Sequence, residues 1–296
     1  MTTGRTVNQL ETNSLEFSTQ GITSRAGGEN FPVALRVLSR DQRRHLLAIY
    51  RFARLTDQLG DAAQGNRLEL LDDLQRQLDL ALRGQSAHPI LQILAPSIRE
   101  IPLPMEPFHR LIEANRLDQK KKRYATYQEL VAYCDLSANP VGELVLHMFH
   151  VATKERVRQS DSVCTGLQLV EHWQDVAEDF AAGRIYLPAE DLEKFGCQES
   201  DLAATSAKDA VRELLRFESE RARGLLDQGI PLVASLSGRA RLAVCGFVAG
   251  GRAALDAIKR TSYDTLGGAP RPLRRDFACR FAATWFSAST TPVGRK

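Results

Sequence analysis

The chain has 296 residues, 43% of them hydrophobic and 25% charged, an ordinary composition for a soluble globular protein with a substantial core. A formal net charge of +3, with the basic residues scattered, argues against a nucleic-acid partner. No apolar run approaches about eighteen residues, and the five separated cysteines lack a Cys-x-x-Cys pair, so neither a membrane span, a disulfide frame nor a zinc site is expected.

Residues 1–28 are rich in Thr, Ser, Gly, Asn and Gln and predict a disordered tail. The first thirty residues show no basic stretch followed by an apolar one, so no signal peptide is expected and the cytoplasm is the default location. Order is expected from Glu29-Asn30-Phe31-Pro32, with Pro32 in a first helical turn. Ser39 and Gln42 then have the spacing of a capping box. The helix they open carries Leu46, Leu47, Ile49, Tyr50, Phe52, Ala53 and Leu55 at the 3.6-residue period. Towards its end Tyr50, Arg54, Asp57 and Asp61 succeed one another by about a turn. Amphipathic helices are predicted over 66–83, 89–100 and 104–118.

Lys120-Lys121-Lys122-Arg123 is a basic connector, a solvated loop in the plain reading and an anion contact at the mouth of a site in the other. A helix is predicted from Tyr127 to about Thr153, kinked at Pro140. Over about 162–181 comes a helix that places Glu171, Asp175 and Asp179 four residues apart, with no Lys or Arg in the same turn. Each like-charged pair at that spacing costs roughly a few tenths of a kcal/mol, which a multivalent cation would remove. Gly183 ends this helix and Pro188 blocks an early restart. His172 points about 100° away from Glu171 and reads as a structural histidine.

Further helices are predicted near 190–195, 206–228 and 232–260, the last with Ala243, Gly246, Ala249, Gly250 and Gly251 allowing close packing. Beyond the Gly267–Pro272 breaker, Phe277, Phe281 and Trp285 stand beside Arg271, Arg274, Arg275 and Arg280. They read as a final packed helix, with a membrane-surface contact as the alternative. Nothing alternates with period two for long, so the chain is all-α, with one helical domain over 29–265 and tails at 1–28 and 266–296.

The two acidic patches, Asp57/Asp61 and Glu171/Asp175/Asp179, carry the chemistry if their helices face each other. Carboxylates without His or Cys suit Mg²⁺ rather than zinc, and Arg54 and Arg184 have the fork geometry for diphosphate oxygens. Neither type of Gly-rich phosphate loop is present, so ATP or a dinucleotide is not the expected ligand.

Arg54-Leu-Thr-Asp57-Gln-Leu-Gly-Asp61, Tyr133-Cys-Asp-Leu-Ser-Ala-Asn-Pro-Val-Gly142 and Gln168 through Pro188 resemble the squalene/phytoene synthase family. Asn30-Phe-Pro-Val-Ala and Ala138-Asn-Pro-Val-Gly resemble its hopanoid-pathway C-type, the hydroxysqualene synthases. The resemblance covers about residues 28–265 and implies a class I isoprenoid synthase fold around a central cavity. It also implies two or three Mg²⁺ ions on Asp57, Asp61, Asp175 and Asp179, with Glu171 in the usual place of an Asn ligand. Arg54 and Arg184 would hold diphosphate, and Tyr50, Gln168 and Tyr186 would line the pocket. The implied substrate is presqualene diphosphate, ionised and captured by one water without NAD(P)H. A head-to-head condensation of two farnesyl diphosphates is the alternative, and a non-catalytic partner of the same fold is the third reading. Loose contact with the inner face of the cell membrane and pairing with other squalene-pathway enzymes are further implications. Gln58, Glu171 and Asp135-Leu136 depart from the family pattern and put the product in question more than the fold.

Overall fold

Ser39 opens the first helix of the computed structural model, which describes residues 38–290. The tail expected over 1–28 and the helix start at Pro32 lie outside the described residues. Helix α1 (Arg40–Asp61) begins with the reciprocal box its sequence predicts: the Gln42 N–H donates to the Ser39 hydroxyl at 3.2 Å, and the Ser39 N–H donates to Gln42 Oε1 at 3.1 Å. Then come α2 (Arg67–Leu82), α3 (Pro89–Glu100) and α4 (Glu106–Asp118). With Pro140–Ala152 they make up one compact unit. Helix α1 is its axis. Leu46, Ile49, Phe52, Leu55 and Leu59 are buried on α1, which packs against α2, α3 and α4. Phe52 meets Phe108 of α4 edge-on at 5.1 Å, the arrangement that sets ring edge against ring face.

The helix predicted over 127–153 is two helices, α5 (Tyr127–Ser137) and α6 (Asn139–Met148). Pro140 has no N–H to give Leu136 and its ring crowds that carbonyl, so the chain breaks at Ala138. The division between the units also falls at Pro140. Helix α6 stops early because His150 turns left-handed, with φ 56°. The Val151 N–H closes on the Leu146 carbonyl at 3.0 Å and the His150 N–H on His147 at 2.9 Å, a Schellman ending without a glycine. A histidine in that role leaves no mark in the sequence.

The second unit comprises Lys121–Asn139 and the chain from Thr153 onward. It holds α5, α7 (Lys154–Gln174), α8 (Val176–Ala181), α9 (Ala189–Lys194), α10 (Asp209–Gln228), α11 (Ile230–Ser235), α12 (Gly238–Arg260) and α13 (Arg274–Thr290), with a 3₁₀ turn at Glu199–Ala203. Helix α7 starts well before the predicted residue 162. The Thr153 hydroxyl caps it by accepting the Arg156 N–H, and Glu155 pairs with Arg158 and Gln159, so polar contacts rather than apolar periodicity stabilise its first turns. Packing against α10, α12 and α5 makes α7 the central helix of this unit. The small residues of α12 permit that approach: a methyl group on Gly251 would lie 2.7 Å from Leu167 Cδ2 and 2.9 Å from Leu226 Cδ1. The helix predicted over 232–260 breaks at Leu236–Ser237, and α12 opens on Gly238 with φ 55°. Helix α13 packs on α12 and α11, with Arg280 bridging to Asp256 at 2.5 and 2.6 Å. No strand occurs among the described residues, where the extended pairing is one parallel bridge between Arg123 and Ile185. The chain is all-α.

Candidate functional site

In the first unit, Tyr50, Arg54, Asp57 and Asp61 share one stripe of α1, at intervals of four, three and four residues. Tyr50 is buried and Arg54 Nη1 lies 3.7 Å from Asp57 Oδ2. Asn115 of α4, which the motif gave no reason to expect, donates from Nδ2 to Asp57 Oδ1 at 3.3 Å. It reaches there because position 60 is glycine: a methyl group would stand 2.1 Å from Asn115 Oδ1. Gln119 Nε2 donates to the Gly60 carbonyl at 2.9 Å and fixes the same crossing. Burial pushes the Asp57 carboxyl up to about 6, against the pull of Arg54 and the Asn115 hydrogen bond, with Asp61 and Asp118 adding repulsion. Asp61, exposed, is the last residue of α1, whose final turn carries no basic side chain. Both carboxylates therefore sit at the negative end of the helix dipole.

In the second unit the predicted single acidic helix is interrupted at Asp175, where the backbone turns to φ −102°, ψ 16° between α7 and α8. The i→i−4 bonding nevertheless runs through: the Asp175 N–H donates to Glu171 O at 3.0 Å and the Asp179 N–H to Asp175 O at 2.8 Å. Glu171 is exposed, while Asp175 and Asp179 are half-buried. Burial raises the Asp175 carboxyl, Glu178 adds to the rise, and Arg271 draws it back. That arginine lies beyond residue 265, where no motif spacing pointed. Gln174 Nε2 donates to the Pro270 carbonyl and brings the segment alongside.

The turn after α8 is a Schellman ending on Gly183, whose φ of 79° favours glycine. The Gly183 N–H donates to Phe180 O at 2.9 Å and the Arg184 N–H to Asp179 O at 2.8 Å. Arg184 is thereby folded back, with Nε 3.6 Å from Asp179 Oδ1. The basic connector supports the same turn. Arg123 donates to the Gly183 carbonyl at 2.7 Å and forks onto Glu199 at 2.9 and 3.1 Å, Lys121 pairs with Glu129, and Lys122 O accepts the Ile185 N–H.

His172, read from the sequence as a structural histidine, is buried and lies beside the acidic row. Its ring stacks on Tyr186 at 3.7 Å and 13°, and Nδ1 lies 3.9 Å from Asp179 Oδ2. The histidine lines a narrow cavity with Val176, Asp179, Arg184, Tyr186 and Leu202. The 100° offset from Glu171 was real, but four-residue steps drift by 40° each. By Asp179 the acidic row has turned towards His172, which is seven residues earlier and only about 20° away. Burial, and then Arg184, push the imidazole down to about 3, so it is neutral. Tyr124 and Tyr133 extend the aromatic wall, with ring centroids 5.6 and 5.8 Å from Tyr186. Gln168 sits one turn before His172, its Nε2 3.4 Å from His172 Nε2. Asp135 accepts from Asn139 at 2.6 Å, and Asn139 accepts from Thr165 at 3.0 Å, so this departure is built into the seam between α5 and α7.

The donor set of both motifs is carboxylate oxygen throughout, the chemistry of a hard cation. Among the described residues no three His, Cys, Asp or Glu side chains form a closed metal cluster. An ion held here would fill its shell with water and phosphate oxygens, as Mg²⁺ characteristically does. The raised Asp57 and Asp175 carboxyls are charges that a cation would stabilise. The residues fit Mg²⁺.

Helices alone, with an aspartate pair on one and an acidic row on another, define a protein of the isoprenoid synthase helical fold. The pattern of the squalene/phytoene synthases matches residues 24–276, and the chain belongs to that family. It is 31% identical over 251 residues to the phytoene synthase of Arthrospira platensis, covering 80% of this chain and 81% of that one. To the hydroxysqualene synthase of Rhodopseudomonas palustris it is 33% identical over 212 residues, covering 70% and 71%. The crystal structure of squalene synthase HpnC from Alicyclobacillus acidocaldarius superposes with a TM-score of 0.77 at 40% identity, over 86% of this chain and 94% of that one.

Proposed function

We propose that this protein is a hydroxysqualene synthase, which ionises presqualene diphosphate and adds one water. The observation that carries the reading is the 40% identity to squalene synthase HpnC, joined by the hydroxysqualene synthase of R. palustris. The C–O bond to diphosphate breaks heterolytically, the cyclopropylcarbinyl cation rearranges, and the water oxygen forms the new C–O bond and loses a proton. Asp57, Asp61, Glu171, Asp175 and Asp179 would hold two or three Mg²⁺ ions, which supply positive charge against the leaving diphosphate. Arg54 and Arg184 bind diphosphate oxygens bidentately. Tyr50 of the first unit, and Tyr186 and Gln168 of the second, would each face substrate, where aromatic faces favour a cation and apolar walls exclude all but the reacting water. Nothing is reduced, so no nicotinamide cofactor is consumed.

The similarity to phytoene synthases favours a second reading, the head-to-head condensation of two farnesyl diphosphates. Purified protein with Mg²⁺ and either presqualene diphosphate or farnesyl diphosphate separates the two, with the lipid product identified by mass spectrometry. Hydroxysqualene from presqualene diphosphate alone is the expected result. Consumption of farnesyl diphosphate by itself would establish the condensing reading instead, and no turnover of either would leave a non-catalytic partner.

We also place the reaction at the cytoplasmic surface of an anionic membrane, through the outer face of α13. Phe286 there is 69% exposed and Leu273, just before the helix, 41%. Arg271, Arg274 and Arg275 are exposed beside them. Asp276, the one acid from 271 to 290, bonds Arg260 at 2.6 Å. Arg275 Nε also lies 3.7 Å from Asp276 Oδ1, so the three arginines outnumber the one acid of the segment, and apolar anchors with a net positive charge match an anionic bilayer surface.

A further inference from the structure

Gln168, His172 and Asp179 form a short chain in the second unit. The ring of His172 is closed in, 6% exposed, with one face flat against Tyr186. Its two nitrogens face different partners: Gln168 Nε2 stands 3.4 Å from Nε2, and Asp179 Oδ2 stands 3.9 Å from Nδ1. A side-chain amide nitrogen can only donate, so the nitrogen facing it must accept. In a neutral imidazole the single proton then belongs to Nδ1, the atom turned towards the carboxylate. The gap of 3.9 Å is wider than a hydrogen bond, and a small movement of Asp179 or one water closes it.

We propose that His172 is a positioning residue: Gln168 holds it as the Nδ1–H tautomer, and it aims Asp179 at the cation which that carboxylate binds. This rests on the proposed role of Asp179. The histidine touches neither substrate nor metal, and acts by setting the direction of a ligand, as outer-shell groups do at metal sites. Stacking fixes the plane of the ring, and Tyr186 is fixed in return. Loss of the Nδ1 donor alone should therefore weaken metal binding while leaving the aromatic wall in place.

Two measurements test this, and neither depends on the product. Long-range ¹H–¹⁵N spectra of histidine-labelled, metal-free protein, with His172 assigned by its absence in His172→Phe, should show the Nδ1–H form. Titration calorimetry of Mg²⁺ in the presence of inorganic diphosphate should show His172→Phe, which keeps the stack and loses the donor, binding about 10-fold more weakly. His172→Asn, with an amide donor near the Nδ1 position, should stay within about threefold of wild type. Thermal unfolding checks that both variants are folded, and the spectrum of the wild type stands even if one is not. An Nε2–H tautomer, or a folded His172→Phe with wild-type affinity, overturns the proposal. If the wild type binds no Mg²⁺ at all, the metal reading itself fails, while the tautomer result still reports on the chain of contacts.

Discussion

Asp57 shows how a single residue is set against itself. Its side chain is 47% exposed, yet the surrounding protein pushes its carboxyl up to about 6 even with Arg54 and Asn115 in attendance. A carboxyl raised in the folded state favours folding in its protonated form. Its advantage is complete below the ordinary value of 3.8 and is lost as the pH rises through about 6. At neutral pH the metal-free protein therefore carries this charge at a cost. Asp57→Asn keeps an acceptor for Asn115 and removes the charge. Without metal at pH 7.5 it should be as stable as wild type or up to about 1 kcal/mol more so, the gain vanishing near pH 4. Turnover should fall by about 100-fold or more, since the carboxylate proposed to hold Mg²⁺ against the leaving diphosphate is gone. Unfolding curves and a product assay on the same sample check both halves.

Among the elements, Arg221 of α10 reaches both α9 and α5 and pairs with a buried acid on its own helix. Glu218 is fully buried, its Oε1 accepts from Arg221 at 3.1 Å, and Arg221 also donates to Asp191 at 2.6 Å while its guanidinium covers Tyr127. Burial pushes the Glu218 carboxyl up to about 8, with Arg221 pulling against the shift. The protonated acid stabilises the fold fully below its ordinary value of 4.5, and that contribution is lost as the pH rises through about 8. Over that window wild type should lose on the order of a few kcal/mol that Glu218→Gln retains. Denaturant midpoints at pH 5, 7 and 9 would show it, and parallel curves for the two proteins would mean Glu218 is ionised throughout. None of this was visible in the sequence, where Glu218 lies in a run of exposed-looking charges; its burial exists only once the helices have packed.

For the molecule as a whole, no described helix is long and apolar enough to cross a membrane. The outer face of α13 makes the expectation of lipid contact specific. Vesicles containing phosphatidylglycerol should carry the protein down on centrifugation, neutral phosphatidylcholine vesicles should not, and salt should weaken the binding. Leu273→Ser with Phe286→Ser should reduce the bound fraction severalfold without lowering thermal stability, because neither side chain is buried. Equal binding of the double variant would exclude this face.

The helices, the capping box at Ser39 and the break at Pro140 follow from apolar period and local backbone chemistry, which act over a few neighbouring residues. The four-residue spacing of Asp57 and Asp61, and of Asp175 and Asp179, is likewise a property of the chain alone. What tertiary structure decided is which groups meet them. Asn115 reaches Asp57 because glycine at 60 lets α4 approach, Arg271 comes alongside Asp175 through the Gln174–Pro270 contact, and His172 joins Asp179 through the drift of a 3.6-residue helix. The His150 ending and the early start of α7 escaped prediction because a histidine in left-handed backbone and a polar first turn carry no apolar signature. Spacing along a helix is local and legible. Burial, and the charge shifts it produces, belong to residues far apart in sequence and exist only once the helices have packed.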